Sequence, residues 1–150
     1  MTSAEPPESL PAGGVEMPTR DGKGRRILVV DDELDIVNLL VEILTREGHQ
    51  ADTAPNGATA LTLVEGHEYD LILCDLRMPV LDGPGFYREL QRRRPELLRR
   101  LVFITGDALS ATMATFLAEA ARPRLPKPFS VPEIREIVAR ALSDGQAEPS

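Results

Sequence analysis

Four positions in this sequence place a polar residue directly after a short apolar run. They hold the acidic pair Asp31 and Asp32, the single acid Asp75, then Thr105, and finally Lys127. Carboxylates bind hard divalent cations, whereas a hydroxyl and an ammonium group suit phosphate oxygens. If the fold brings these side chains together, the set suits the transfer of a phosphoryl group.

The apolar runs before these residues predict the elements that position them. They cover residues 27–30, 71–74, 101–104 and 124–126. Short runs of this kind, separated by helical patterns, are typical of buried parallel strands. All four sites therefore fall at the carboxyl edge of one predicted sheet, where open α/β folds place their chemistry.

Strand and helix patterns alternate five times along the chain. Predicted strands cover 26–30, 50–54, 71–74, 101–104 and 124–126, and predicted helices cover 33–47, 57–64, 84–93 and the segments after Ser110 and Ser130. Five such units predict an α/β fold with a doubly wound, five-stranded parallel sheet and five flanking helices. In the flavodoxin-like strand order 2-1-3-4-5, strands one and three are neighbours, so the three acids would share one crevice.

Composition divides the chain into a folded middle and two polar ends. Residues 1–24 are rich in Pro, Gly, Ser and Glu and lack apolar periodicity, which predicts a disordered arm or linker. Residues 143–150 have the same character and predict a flexible tail. The folded domain is expected over residues 25–142.

The overall composition excludes several classes of protein. The 150 residues carry a net charge of −7, whereas a general nucleic-acid binder is basic. No apolar stretch approaches the roughly 20 residues of a membrane span, and no secretory signal pattern opens the chain. A cytoplasmic protein that binds neither nucleic acid nor membrane is expected. The lone Cys74 lies in an apolar run and is expected to be a buried structural thiol.

Three carboxylates in one crevice repel each other, and Mg²⁺ relieves this repulsion because it takes oxygen ligands and keeps several waters. Neither His49 nor His67 is placed to join the acids, so a zinc site is not expected. Lys127 adds positive charge for an incoming phosphoryl group, and Asp75 is the candidate nucleophile, since carboxylates form acyl phosphates. Asp32 serving only as a helix cap is the alternative.

These residues lie in motifs that resemble the receiver domain of two-component response regulators. The motifs are Val-Val-Asp-Asp-Glu at 29–33, Asp-Leu-Arg-Met-Pro at 75–79, Asp-Gly at 82–83, Ile-Thr-Gly at 104–106 and Lys-Pro-Phe at 127–129. The likeness spans residues 26–142. It implies that Asp75 accepts a phosphoryl group from a phosphohistidine on a sensor histidine kinase or a histidine phosphotransfer protein. It also implies that the domain catalyses only its own modification.

The resemblance further implies how the metal is held. Asp32 and Asp75 would bind Mg²⁺ directly, Asp31 would act partly through water, and the backbone carbonyl of Arg77 would be a further ligand. The Lys127–Pro128 bond is expected to be cis, as in similar domains.

The switch residues that the resemblance implies include one departure. Thr105 and Lys127 would contact the phosphoryl group, and Thr105 would swing toward it. In the family an aromatic residue three before the Lys then turns inward, but Arg124 stands at that position. Arg124 cannot fill an apolar slot without desolvating its charge. It is expected either to stay on the surface or to pair with an acid such as Asp107 in one state.

An apolar pair on the first helix is a candidate docking site. With Ile36, Leu40 and Leu44 facing inward, Val37 and Val41 would fall one turn apart toward solvent. Exposed apolar pairs often mark docking sites, and in similar proteins this helix contacts the histidine-bearing partner. We expect Val37 and Val41 to help dock the phosphodonor, with a slightly wider core face as the alternative.

Three functions stay open. Since no output domain follows before Ser150, the chain is expected to be a stand-alone receiver or a receiver from a hybrid sensor kinase. A phosphatase of the haloacid-dehalogenase kind is the third alternative, because it also uses Asp, Thr and Lys on a parallel sheet. That class has its nucleophile in an Asp-x-Asp motif after the first strand, whereas residues 31–33 are Asp-Asp-Glu.

Overall fold

A computed structural model describes residues 24–106 and 109–146, in which strands and helices alternate as predicted. The strands are β1 Arg26–Val30, β2 Gln50–Ala54, β3 Leu71–Asp75, β4 Leu101–Thr105 and β5 Arg124–Pro126. The helices are α1 Leu34–Arg46, α2 Gly57–Gly66, α3 Gly83–Arg93, α4 Ala111–Ala120 and α5 Val131–Gln146. A 3-10 helix at Pro95–Arg100, which the sequence did not predict, leads into β4. Within the described ranges, every helix is too short or too polar to cross a lipid bilayer.

The sheet is parallel throughout and has the predicted order β2-β1-β3-β4-β5. Val30 pairs with Cys74 across β1 and β3, and Asp75 pairs with Ile104 across β3 and β4. Because all strands run in one direction, the residues that follow their carboxyl ends share one edge of the sheet.

Apolar side chains cover both faces of the sheet, as a doubly wound fold requires. Helices α2, α3 and α4 pack on the face that carries Leu28, Ile72 and Phe103, and α1 and α5 pack on the face that carries Val29 and Leu73. Strands β3 and β4 are buried along their whole length, so they form a fixed platform for the residues at their ends. Cys74 is fully buried, and this burial raises the pKa of its thiol, as expected for a structural cysteine.

Side-chain caps set where the helices at the functional edge begin. The Ser110 hydroxyl accepts a hydrogen bond from the N–H of Met113 at 3.1 Å and caps α4. Ser130 and Glu133 form the predicted capping box of α5, since each backbone N–H donates to the other side chain, at 2.7 Å and 3.3 Å. These caps terminate the loops that follow β4 and β5.

The described domain extends further at its C-terminus than the sequence predicted. Residues 143–146 belong to α5, which ends at Gln146, four residues beyond Leu142. The physical reason is that a nucleated helix gains a hydrogen bond with each added residue, even beyond its last apolar position. Gly24, assigned to the arm, is buried. The rest of the predicted arm (1–23) and tail (147–150) lies outside the described residues.

Helix α3 begins at Gly83, which lies against the end of β3 that carries Asp75. Its N–H donates a hydrogen bond to the Leu76 carbonyl oxygen at 2.9 Å. A Cβ added at Gly83 would lie 2.8 Å from the Asp75 carbonyl oxygen and 2.9 Å from the Leu76 Cα. Both are backbone atoms of the β3 end, so the chain itself would have to shift.

We therefore expect Gly83→Ala to lower the free energy of unfolding by about 1–3 kcal/mol, the usual cost of overpacking. Urea denaturation measures the change. Gly66→Ala is the matched control, because a Cβ there meets nothing within 4 Å and Ala is the better helix former. The control should be neutral or stabilising, and an equal loss in both variants would contradict this account.

Candidate functional site

The predicted acidic cluster forms at the carboxyl edge of β1 and β3. Asp31, Asp32 and Asp75 each offer a carboxylate oxygen, and these oxygens lie within 4.8 Å of one another. Asp31 and Asp75 are buried, whereas Asp32 is exposed. The pairing of β1 with β3 brings residues more than 40 positions apart in sequence to this crevice.

Burial raises the pKa values of the two buried acids, and neighbouring negative charges raise them further. The pKa of Asp75 rises to about 7, chiefly through burial and then through the charge of Asp31, while Lys127 and the Leu76 N–H act in the opposite direction. Burial also raises the pKa of Asp31, although that carboxylate accepts a hydrogen bond from the Glu33 N–H at 2.9 Å. The cluster is therefore poised to bind a positive charge.

One carboxylate oxygen supplies a direct test of whether a cation fits. Asp31 Oδ2 is buried and has no hydrogen-bond partner among the described residues. A buried, unpaired carboxylate oxygen is costly unless a cation or a proton binds it. Carboxylates alone, without His or Cys, form the donor set that a hard divalent cation prefers, so the residues fit Mg²⁺.

Lys127 lies beside the cluster but contacts a different acid. Its Nζ is 2.6 Å from Glu33 Oε1 and 3.9 Å from Asp75 Oδ1. Burial alone would lower the pKa of Lys127, but the hydrogen bond to Glu33 and the charges of Asp75 and Asp31 outweigh it and raise the pKa. Glu33 was not among the predicted site residues, although its place directly after the acidic pair was an available signal.

Thr105 is buried at the end of β4 and is tied to Lys127 through the backbone. The Lys127 N–H donates to the Thr105 carbonyl oxygen at 2.7 Å, and Thr105 pairs with Pro126 across β4 and β5. The Lys127–Pro128 bond is cis, as expected. Thr105 and Lys127 therefore stand at neighbouring strand ends, on the same edge as Asp75.

Two further predicted residues lie near this edge with their side chains in solvent. Arg77 follows Asp75 by two residues and is exposed; its carbonyl as a metal ligand stays a prediction. Arg124 is also exposed, on edge strand β5, where it pairs with Phe103. Asp107, its suggested partner, lies outside the described residues, so a part for Arg124 in switching stays a prediction.

The predicted exposure of the apolar pair on α1 is wrong. Val37 is only 7% exposed and belongs to the core, and Val41 is half-buried and packs against it. The core stripe of α1 runs through Val37, Leu40 and Leu44 at spacings of three and four, so Val37 joins the predicted inward residues Leu40 and Leu44. This outcome matches the alternative of a wider core face.

The apolar surface beside the site is formed by other residues of α1. Leu39 is 37% exposed, and Ile36 is half-buried. Together with the loop after β5 they surround a cavity of about 500 Å³, lined by Ile36, Leu39, Gly106, Lys127, Pro128 and Phe129. The cavity places apolar side chains directly next to the ammonium group of Lys127.

Comparison with known protein families identifies the family of this chain. The family model described as response regulator receiver domain matches residues 27–139. The chain belongs to this family. Receiver domains work in two-component systems with sensor kinases and output domains, and the match gives no support to the haloacid-dehalogenase alternative.

Individual relatives agree with this assignment. A response regulator receiver protein of Anaeromyxobacter sp. (strain Fw109-5) is 37% identical over 115 residues, which are 75% of this chain and 47% of that protein. This receiver domain thus spans about half the length of that relative.

Two solved receiver domains share the fold. The receiver domain of NtrX from Brucella abortus has a TM-score of 0.71 and 32% identity, and the match covers 79% of this chain and 98% of that one. The receiver domain of sensor histidine kinase PA1611 from Pseudomonas aeruginosa PAO1 has a TM-score of 0.72 and 28% identity, covering 81% and 99%. In the latter, a magnesium ion is coordinated in the active site cleft.

The raised pKa of Asp75 predicts how stability depends on pH when no metal is present. The folded-state pKa of about 7 exceeds the ordinary 3.8. The contribution of Asp75 protonation to stability is therefore fully present below about pH 4 and is lost as the pH rises through 7. With EDTA present, the wild type should lose unfolding free energy between about pH 5 and pH 8. Asp75→Asn should lose clearly less, as measured by urea denaturation. Equal losses in both proteins would refute the assignment to Asp75.

Proposed function

We propose that this receiver domain takes a phosphoryl group onto Asp75, with Mg²⁺ bound, and that the modification changes which partner it binds. The donor is a phosphohistidine on a sensor histidine kinase or a histidine phosphotransfer protein. The observation that carries the proposal is the position of Asp75: buried, within 4.8 Å of the oxygens of Asp31 and Asp32, and 3.9 Å from the Lys127 ammonium.

The transfer is balanced within the site. An Asp75 carboxylate oxygen forms a bond to phosphorus while the bond between phosphorus and the histidine nitrogen breaks, and the imidazole leaves with that electron pair. The three carboxylates, one divalent cation and Lys127 have a formal charge near zero, so the incoming anion is not repelled. Thr105 contributes its hydroxyl, and Lys127 its ammonium group, to oxygens of the transferred group.

The roles of the metal ligands are proposed from the resemblance to receiver domains. Asp32 and Asp75 bind Mg²⁺ directly, Asp31 acts partly through water, and the Arg77 carbonyl is a further ligand. When bound, the cation neutralises charge on the phosphoryl oxygens. The unpaired Asp31 Oδ2 supports a cation at this place.

The domain modifies only itself, and its output is a change in binding. Phosphorylation increases the negative charge at Asp75 from one to about two and adds strong acceptor oxygens. Thr105 is the proposed switch residue, and Arg124 joins it only by leaving its exposed position. The acidic net charge favours a protein partner over nucleic acid, and the cytoplasmic location predicted from the sequence stays part of the proposal.

The family offers several molecular contexts, among them a stand-alone receiver and a receiver within a hybrid sensor kinase. In both, residues 25–146 form the receiver and the segment before them serves as an arm or linker. The likeness to the receiver of sensor kinase PA1611 supports the second context.

Labelling with acetyl phosphate tests the nucleophile and the metal together. We expect the wild type to gain one phosphoryl group in the presence of Mg²⁺ and none in EDTA, because Asp75 attacks phosphorus and acetate leaves. Asp75→Asn should gain none, whereas Asp35→Asn, which removes an exposed acid from the first turn of α1, should label normally. Intact-protein mass spectrometry reads the result, and labelling of Asp75→Asn would refute the proposal.

The phosphodonor docks on the apolar surface beside Lys127. Leu39, Ile36 and Phe129 surround this cavity, and an apolar partner surface there would bring its histidine to the ammonium group. Val41, half-buried on the same helix, remains a candidate contact at the margin. Val37 can act only through the core, since it is buried.

Leu39→Asp tests this docking surface. The substitution places a charge in the apolar interface, so we expect transfer from a phosphohistidine donor to slow by about tenfold or more, the effect of one lost interface anchor. Labelling by acetyl phosphate serves as the control and should keep its wild-type rate. If both rates fall equally, the substitution damages the site itself and the docking assignment is wrong.

A further inference from the structure

One acidic side chain at the site has no part in the chemistry proposed above. Glu33 directly follows the acidic pair, and its carboxylate binds the Lys127 ammonium group at 2.6 Å. The Asp75 carboxylate lies 3.9 Å from the same nitrogen, beyond the reach of a hydrogen bond. The Lys127 ammonium group, which phosphoryl transfer needs, is thus already paired with the Glu33 carboxylate.

The local structure directs the Glu33 side chain to Lys127 rather than to the helix. Glu33 is the N-cap of α1, yet its side chain makes no capping hydrogen bond to the described residues of that helix. Its backbone N–H donates to Asp31 Oδ1 at 2.9 Å, which anchors it at the rim of the acidic cluster. The carboxylate therefore serves Lys127 and not the helix end.

The two partners of this ion pair differ in their freedom to move. The Glu33 side chain is 58% exposed, whereas the Lys127 side chain is 21% exposed and stands next to Asp75. A carboxylate at this exposure regains water when it releases its partner, so release costs little. Lys127 loses far more hydration and needs an anion at all times.

Building on the proposed function, we propose that Glu33 is a positioning residue that competes with the phosphoryl group for Lys127. Before transfer, Glu33 holds the ammonium group away from Asp75. When the phosphoryl group arrives, its greater negative charge attracts the Lys127 ammonium group more strongly than Glu33 does. Lys127 then pairs with the phosphoryl group, and the Glu33 carboxylate turns to solvent. Glu33 thus weakens the site's affinity for the phosphoryl group without touching it.

A direct role for Glu33 in metal binding is the competing explanation. The carboxylate oxygens that group within 4.8 Å belong to Asp31, Asp32 and Asp75, and Glu33 is not among them in the described part of the chain. Its carboxylate binds Lys127 instead. The two explanations differ in what they predict for the Mg²⁺ affinity.

Calorimetric titrations separate metal binding from phosphoryl binding. Mg²⁺ is titrated alone, and beryllofluoride, a mimic of the phosphoryl group, is then titrated at saturating Mg²⁺. We expect Glu33→Gln to bind beryllofluoride about threefold more tightly, the size of a partly exposed ion pair, with unchanged Mg²⁺ affinity. Glu33→Ala, which also removes the carboxylate, should give the same two results: tighter beryllofluoride binding and an unchanged Mg²⁺ affinity. Asp35→Asn is the matched control, because it removes one exposed negative charge two residues away and should alter neither affinity.

The outcomes distinguish this inference from the proposed function. Unchanged or weaker beryllofluoride binding in Glu33→Gln, equal tightening in Asp35→Asn, or lost Mg²⁺ affinity in Glu33→Gln would each overturn the role of Glu33. If the wild type itself fails to bind beryllofluoride and acetyl phosphate does not label Asp75, the proposed function fails as well. Thermal unfolding confirms that the variants are folded; no cap is lost in Glu33→Gln because none is made.

Discussion

Like charges buried at the junction of β1 and β3 are the constraint on which the rest of the structure depends. Asp31 and Asp75 are taken out of water and placed within reach of each other, which raises the pKa of both. Such an arrangement is unfavourable by itself and persists only where surrounding structure holds it. The Lys127 ammonium group offsets part of the repulsion, and a bound divalent cation would offset more of it.

The fold supplies the rigidity that keeps these acids together. Strands β3 and β4 are buried throughout, and α3 approaches the end of β3 so closely that Gly83 leaves no room for a Cβ. On the other side of the site, the Lys127 N–H binds the Thr105 carbonyl oxygen, which fixes the spacing between two strand ends.

The surface around the site combines an apolar cavity with an exposed charged residue. The apolar cavity beside Lys127 lies between α1 and the loop after β5. Arg124 lies exposed on edge strand β5, so this receiver has no aromatic side chain at the position from which the family moves one inward.

The sequence alone determined the order of the strands and α-helices, the sheet topology and the meeting of the site residues at one edge. Short apolar runs separated by helical patterns specify buried parallel strands, and parallel strands align their carboxyl ends. The caps at Ser110 and Ser130 were equally local and equally predictable. The tertiary structure alone decided how wide the buried face of α1 is, which anion Lys127 contacts, and how far α5 extends. Val37 shows why: several apolar faces of one helix satisfy the same spacing, and only packing against the sheet selects among them. The contact between Glu33 and Lys127 joins residues 94 positions apart, a distance across which local sequence patterns carry no information.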